Sequence, residues 1–391
     1  MSNATTWRLL IVDDEKSLCD RVQEYLAGEF LTGSEDRLEV QGITDFNEAL
    51  DTLQAHRFDI LILDVRLQTE DEIPEEEAGV TALNAIRQRR FVPVIFYTGL
   101  PHLVRHLQSP FVQVVEKEPK FEKLLQAVQE IHASRLPLVN RALLQHLETV
   151  QRDYMWDFVQ ANWDQFKDAP DRTALAYLLA RRLAISLSGP GIHKLAQDLG
   201  NSTGDDVVEG KVHPMQYYLM PSIEPTPLSG DVYKGQIGDQ TGHWVLLTPS
   251  CDLVKGREKA DWVLFGRCIL LSEQSEHQKW CADLPQISKT AKTELEALLN
   301  NSRQIKGSQP ERFFFLPGAL SLPDMLLDFQ QLVALPVAQM DKLKRLASLD
   351  SPFAEALLAR FARYFGRLGT PDLDLDVTVA RIRGGLSLKT C

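Results

Sequence analysis

The chain has 391 residues, 44% of them apolar and 25% charged, with a net charge of −12. That length and balance fit two or three globular domains able to bury real cores. No apolar run approaches the ~18 residues of a membrane-spanning helix, and an acidic chain repels the phosphate backbone unless a local basic patch opposes it.

The acidity is uneven. Residues 1–135 hold 14 Lys+Arg against 24 Asp+Glu, and residues 136–391 hold 28 against 30. Five cysteines (Cys19, Cys251, Cys268, Cys281, Cys391) are scattered with no CxxC pair, which suggests neither a zinc site nor a disulfide framework. The first apolar stretch, Leu9 to Val12, is too short for a signal peptide and runs straight into acids. A cytoplasmic protein is the expectation.

From the N-terminus, short apolar runs alternate with amphipathic stretches. The runs are Leu9–Val12, Ile60–Leu63, Pro93–Tyr97 and Phe111–Val115. Between and after them, Ser17–Phe30, Thr81–Arg90 and Phe121–His132 carry apolar residues at helical spacing. Strand-length runs alternating with helices predict a parallel sheet covered on both faces.

Polar residues follow the C-terminal ends of those strands: Asp13 and Asp14, Asp64, Thr98, and Lys117. Open parallel sheets bind ligands at that edge. Three carboxylates converging there would repel one another unless a cation neutralised them. A hard divalent ion such as Mg2+ takes oxygen ligands, so Asp13, Asp14 and Asp64 read as a metal site. The metal would also neutralise an incoming phosphoryl group and leave one carboxylate to attack phosphorus. Thr98 and Lys117 would contact phosphate oxygens.

These residues, with LLIVDDE and FDILILD, resemble the response-regulator receiver (CheY-like) family. The resemblance covers the first third of the chain and implies a flavodoxin-like, five-stranded parallel sheet. It assigns the phosphoacceptor role to Asp64, the metal to Asp13, Asp14 and Asp64, and the switch contacts to Thr98 and Lys117. A histidine kinase is the implied partner.

Three features depart from the family pattern. The insert TEDEIPEEE puts six acids between Glu70 and Glu77; it reads as a solvated loop, with an acidic rim that filters phosphodonors as the functional alternative. Val114 stands three before Lys117, where the family usually has an aromatic, which puts the usual side-chain switch in doubt. Pro101 and Pro110 crowd the segment after Thr98 and predict an abbreviated fourth helix. In addition, Glu118 separates Lys117 from Pro119, where the family has Pro directly after Lys.

Residues 136–200 read as a helical linker, with Leu143, Leu144, Leu147 and Val150 at three- and four-residue spacing and a turn at Pro170. Such helices can pair with a second copy, so a homodimer is an expectation. Trp156, Phe158, Trp163 and Phe166 read as core. The stretch Ile192–Gly200 resembles the first helix of a helix-turn-helix, but the acidic, Gly-rich residues after it offer no recognition helix.

Residues 201–391 turn β-rich. Strand-like runs such as GDVYKGQIG, HWVLLTPSCDLV, ADWVLFGRCILL, RFFFLP and DFQQLVALP predict a small barrel or rolled sheet with helices. One helix falls at Ile287–Leu299. Another has Ser351 as expected N-cap and Pro352 at its first position. It carries Phe353, Leu357, Phe361 and Phe365 on one face and Arg360, Arg363 and Arg367 on another, the latter read as solvated. His243, Cys251, Asp252, His277 and Cys281 could in principle form a Cys–His nucleophile, but no orienting motif accompanies them and Cys251 reads as a buried structural cysteine. LLTPSCDL and ASLDSPFAEALLARFARYFGRLGTP resemble uncharacterised bacterial proteins and transfer no activity. No catalytic residue is expected in this region.

The expectation is thus a multidomain protein: receiver at 1–135, helical linker at 136–200, β-rich α+β output domain at 201–391. It is read as an atypical response regulator and not as an enzyme beyond receiver phosphotransfer. Its C-terminal domain would bind another protein rather than nucleic acid or membrane. The alternative is a phosphate sink that drains a kinase, an arrangement resembling the buffering receiver protein of Detocs-type anti-phage two-component systems. A DNA-binding regulator is a third reading and needs a basic surface the sequence does not advertise.

Overall fold

The computed structural model describes residues 5–32, 35–65, 75–164, 173–187, 211–222, 225–303, 311–367 and 373–387. The chain divides into two compact units, residues 1–209 and 210–391.

Five parallel strands form the first sheet: β1 (Thr6–Val12), β2 (Arg37–Ile43), β3 (Ile60–Leu63), β4 (Val94–Thr98) and β5 (Val112–Glu116), in the order β2-β1-β3-β4-β5. Helices α1 (Lys16–Glu29), α2 (Phe46–Ala55), α3 (Glu75–Arg89), α4 (Pro101–Val104) and α5 (Glu122–Ala133) connect and follow them. Because side chains alternate along a strand, each central strand feeds two cores. Leu9, Ile11, Ile60, Ile62, Ile95 and Tyr97 pack with α1 and α5. Leu10, Val12, Leu61, Leu63, Val94 and Phe96 pack with α2 and α3. Residues buried on both faces explain why these strands read as unbroken apolar runs. The edge strand β2 alternates exposed and half-buried positions instead.

The fourth helix is abbreviated as expected: four residues, then a 3-10 turn over Arg105–Leu107. Gly79 lets α3 approach it, since a Cβ there would lie 2.3 Å from Val104 Cγ1. The acidic insert lies mostly outside the described residues.

Helix α6 (Leu136–Asp153) continues through a π-helical turn, Tyr154–Val159, and α7 (Thr173–Ser186) follows. Arg141 fixes α6 to the N-terminal edge of the sheet. Its guanidinium forks onto the buried Asp59 carboxylate and Nη1 donates to Thr6 O at 2.7 Å. The expected aromatic core in this segment is corrected by the structure. Trp156 is 67% exposed, and Phe158 and Trp163 are also exposed; only Val159 in the turn is buried. Helical spacing marks a common face, but whether a layer covers that face is decided elsewhere in the chain. Phe166, Pro170 and Ile192–Gly200 lie outside the described residues.

The second unit is an antiparallel, seven-stranded sheet in the order β10-β11-β9-β8-β7-β12-β6. Its strands are β6 (Tyr218–Leu219), β7 (Asp231–Ile237), β8 (Gln240–Leu246), β9 (Trp262–Leu270), β10 (Phe313–Leu316), β11 (Met325–Pro336) and β12 (Lys344–Leu349). Helices α8 (Ser275–Ala282), α9 (Lys289–Leu299), α10 (Phe353–Gly366) and α11 (Leu375–Ser387) accompany it. One face packs Val232, Val245, Leu327 and Phe329 against Leu357 and Tyr364 of α10. Tyr233, Trp244, Phe265 and Met340 build the core on the other face. The β-rich expectation holds. One local expectation does not: Pro352, not Ser351, occupies the N-cap of α10, and the Asp350 carbonyl accepts the first amides, Phe353 N at 2.8 Å and Ala354 N at 3.1 Å. No helix among the described residues is long and apolar enough to cross a membrane.

Candidate functional site

The parallel register brings the strand ends together. Asp13 N donates to Ile43 O at 3.1 Å, Asp64 N to Val12 O at 2.9 Å, and Lys117 N to Thr98 O at 2.9 Å. Asp13, Asp64 and Lys117 therefore lie one step beyond a strand whose backbone is held by its neighbour, Thr98 at the last position of one, and Asp14 two steps beyond β1. Asp13, Asp64 and Thr98 are buried, and Asp14 is exposed.

One carboxylate oxygen from each of Asp13, Asp14 and Asp64 can be chosen so that all three lie within 4.8 Å of one another. Lys117 Nζ sits 2.6 Å from Asp13 Oδ2 and 2.6 Å from Asp64 Oδ2. One ammonium thus bridges two buried carboxylates. Backbone amides take the other oxygens: Glu15 N donates to Asp13 Oδ1 at 3.0 Å and Val65 N to Asp64 Oδ1 at 2.7 Å. Burial pushes the Asp13 carboxyl up, and the hydrogen bonds from Lys117 and Glu15 offset that only in part. Burial opposes the Lys117 charge, but its hydrogen bonds to Asp13 and Asp64 outweigh this and raise its pKa. Thr98 Oγ1 accepts from Leu100 N at 3.2 Å, which fixes its side chain.

This donor set fits a small hard cation. Octahedral Mg2+ keeps oxygens at about 2.1 Å, so its ligands lie ~3 to ~4.2 Å apart. The three carboxylates gather within 4.8 Å, slightly wider than that range, so modest closure would bring them onto one ion, and the remaining positions would be taken by water or a phosphoryl oxygen.

Residues 9–129 match the family model of the response regulator receiver domain. The N-terminal unit carries a receiver domain. Among solved structures, the receiver domain is similar to the response regulator TrrA of Thermotoga maritima in complex with Mg2+-BeF, at 24% identity and a TM-score of 0.25, covering 32% of this chain and 98% of that one. It is also similar to the chemotaxis protein CheY4 of Vibrio cholerae, at 22% identity and a TM-score of 0.24, covering 32% and 99%. A third likeness is the receiver domain of a putative Luxo repressor protein of Vibrio parahaemolyticus, at 17% identity and 0.26, covering 34% and 94%. No curated protein matches the chain.

Val114, three before Lys117 on β5, is half-buried against the α2–α3 core. Sequence reasoning passed over Tyr97, which is buried beside the receiver site and donates its hydroxyl to Glu118 O at 3.3 Å. Its signal was present as a polar-tipped aromatic closing an otherwise apolar run, directly before Thr98.

Among the described residues, the cysteines and histidines of the second unit fall in separate places. Cys251 is exposed on a 3-10 turn, Ser250–Asp252, and contacts Asp252 Oδ1 at 3.7 Å. This corrects the buried reading: the apolar strand ends at Leu246, and the chain turns outward before Cys251. His243 pairs across β8 and β9 with Cys268, which is buried. Cys281, exposed, lies 3.7 Å from the half-buried His277 on α8, with no third group joining them among the described residues. The arginines of α10 have partners: Arg360 donates to Asn301 O, Arg363 to Glu311, and Arg367 stacks 3.8 Å from the Tyr364 ring centroid.

Proposed function

We propose that this protein is an atypical response regulator that accepts a phosphoryl group on Asp64 and signals through its second unit to a protein partner. The observation that carries this reading is the pocket itself: three carboxylates gathered at strand ends, with Lys117 Nζ 2.6 Å from two of them. Bound Mg2+, held by Asp13, Asp14 and Asp64, would neutralise charge on the donor phosphoryl group. An Asp64 oxygen attacks phosphorus. The P–N bond of a kinase phosphohistidine breaks, its electron pair stays on the imidazole nitrogen, and that nitrogen takes up a proton. Lys117 leaves Asp64 and pairs with a phosphoryl oxygen of the new acyl phosphate, while the Thr98 hydroxyl donates to another. The displaced Lys117 contact is the change available to the rest of the chain.

A second reading is a phosphate sink that drains a kinase without driving an output. Val114 favours it, since an aliphatic side chain at that place cannot carry the aromatic reorientation expected of a switch. In this reading the service to a kinase would be buffering, and anti-phage signalling is one setting for it.

Radiolabelled acetyl phosphate separates these. Wild type should take label with Mg2+ and not with EDTA, and Asp64→Asn should take none. Label accompanied by a change in size or partner affinity supports the switch. Label with no such change supports the sink. An unlabelled wild type, beside a competent receiver control, overturns both.

A further inference from the structure

Lys117 is useful only if its ammonium is held at the right height over Asp13 and Asp64, and the segment that carries it is unusual. Glu118 stands between Lys117 and Pro119. Two adjacent residues of β4 hold that segment. The Thr98 main chain accepts from Lys117 N at 2.9 Å, and the Tyr97 side chain donates to Glu118 O at 3.3 Å. The two-residue segment Lys117–Glu118 is thus pinned at both ends from one strand, and the Lys117 side chain leaves between the pins. A third tie, from Lys123 to the Glu118 carboxylate, is solvent-exposed and open to salt screening.

Tyr97 is itself held firmly. Its ring is 3% exposed and lies with its centroid 6.3 Å from Phe121, which in turn lies 5.4 Å from Tyr25. Burial pushes the phenol further above its ordinary value, so the hydroxyl remains a donor. Its hydroxyl makes no hydrogen bond to Asp13, Asp14 or Asp64 among the described residues.

We propose that Tyr97 is a positioning residue for phosphoryl transfer, acting through the Glu118 carbonyl to set where Lys117 Nζ stands over the carboxylates. The proposal rests on the receiver reading above. It assigns to the end of β4 a second task besides presenting Thr98.

The test is a cycle of four full-length proteins: wild type, Tyr97→Phe, Lys117→Ala and the double variant, labelled with acetyl phosphate across a Mg2+ series. Tyr97→Phe keeps the ring and removes the hydroxyl. It should slow labelling by about 3–10-fold, the effect of one hydrogen bond, with the Mg2+ concentration for half-maximal labelling unchanged. In the Lys117→Ala background the same substitution should change the rate by less than about 1.5-fold, since the group it positions is gone. An equal loss in both backgrounds would mean Tyr97 merely supports the fold, and no loss in either would remove its role altogether. Tyr97→Met, which also lacks the hydroxyl but packs differently, should reproduce the pattern and guards against a folding defect in the phenylalanine variant. A wild type that takes no label overturns the receiver reading and this proposal together, an outcome distinct from a labelled wild type with an unaffected Tyr97→Phe.

Discussion

Among the described residues, the second unit and the receiver pocket bury carboxylates in opposite ways. In the second unit each has its own guanidinium. Arg312 forks onto Asp328 at 2.8 and 2.6 Å, Arg303 onto Glu276 at 2.7 and 3.0 Å, and Arg345 meets Asp231 at 3.0 Å with Ser348 on the other oxygen. In the receiver, Asp13 and Asp64 share the single ammonium of Lys117, and Asp14 is close by. A one-to-one pair is complete and serves the fold. Three acids facing one cation are short of positive charge and so hold free energy for binding a metal ion and a phosphoryl group. The same contrast exists within β3: Asp59, before its first residue, is paired with Arg141, whereas Asp64, after its last, is left to share.

That contrast can be broken from either side. The largest effect expected is from Arg312→Ala, which strands the fully buried Asp328 carboxylate. Removing one partner of a buried pair costs about 3–5 kcal/mol, and Arg312 is 32% exposed, so a loss at or below the low end, about 2–3 kcal/mol, should appear in denaturant melts of the second unit.

Acid attacks the same pairs more gently. Burial alone would raise the Asp328 and Glu276 carboxyls, but hydrogen bonds outweigh it, chiefly from Arg312 at Asp328 and from a backbone amide and Arg303 at Glu276, and hold both below their ordinary values. A folded pKa below the unfolded one means that the stabilisation is fully present above about pH 4 and is lost as pH falls through the folded values. The thermal midpoint of the second unit should therefore drop as pH goes below 4, and Asp328→Asn should flatten that dependence.

The smallest effect has the opposite sign. Asp13→Asn removes one of the crowded acids and should stabilise the receiver by about 1 kcal/mol in EDTA. Mg2+ should raise the melting temperature of wild type and leave that of Asp13→Asn nearly unmoved. A loss of stability in EDTA would mean that the three acids are already compensated, and the contrast between the units would fail.

Much of the receiver was legible because its chemistry follows from local pattern. A strand buried on both faces must be apolar throughout, so the first polar residue after it marks the sheet edge where ligands bind. Asp13, Asp64 and Thr98 were found that way, whereas Lys117 lies one step beyond β5, an edge strand that itself contains Gln113 and Glu116. The edge strand β2 gave no such run and went unlisted, because RLEVQGI is only partly covered. In the second unit the strands could be read but not their order, since antiparallel neighbours are set by pairing between distant segments. The exposed Trp156 and Cys251 show the same limit at single residues: hydrophobicity fixes which side chains could be covered, not whether anything covers them.

The amino-acid sequence by itself determined the parallel character of the first sheet, the β-rich character of the second unit, the acidic pocket and the abbreviated fourth helix, because periodicity, strand-end polarity and proline act within a few residues. Only the tertiary structure decided that Arg141 closes on Asp59, 82 positions away, that Asp231, Glu276 and Asp328 are neutralised one by one, and that Tyr97 reaches Glu118. Each of these is a polar group finding its partner across the chain, and a buried polar group is stable only where folding happens to bring that partner within hydrogen-bond reach.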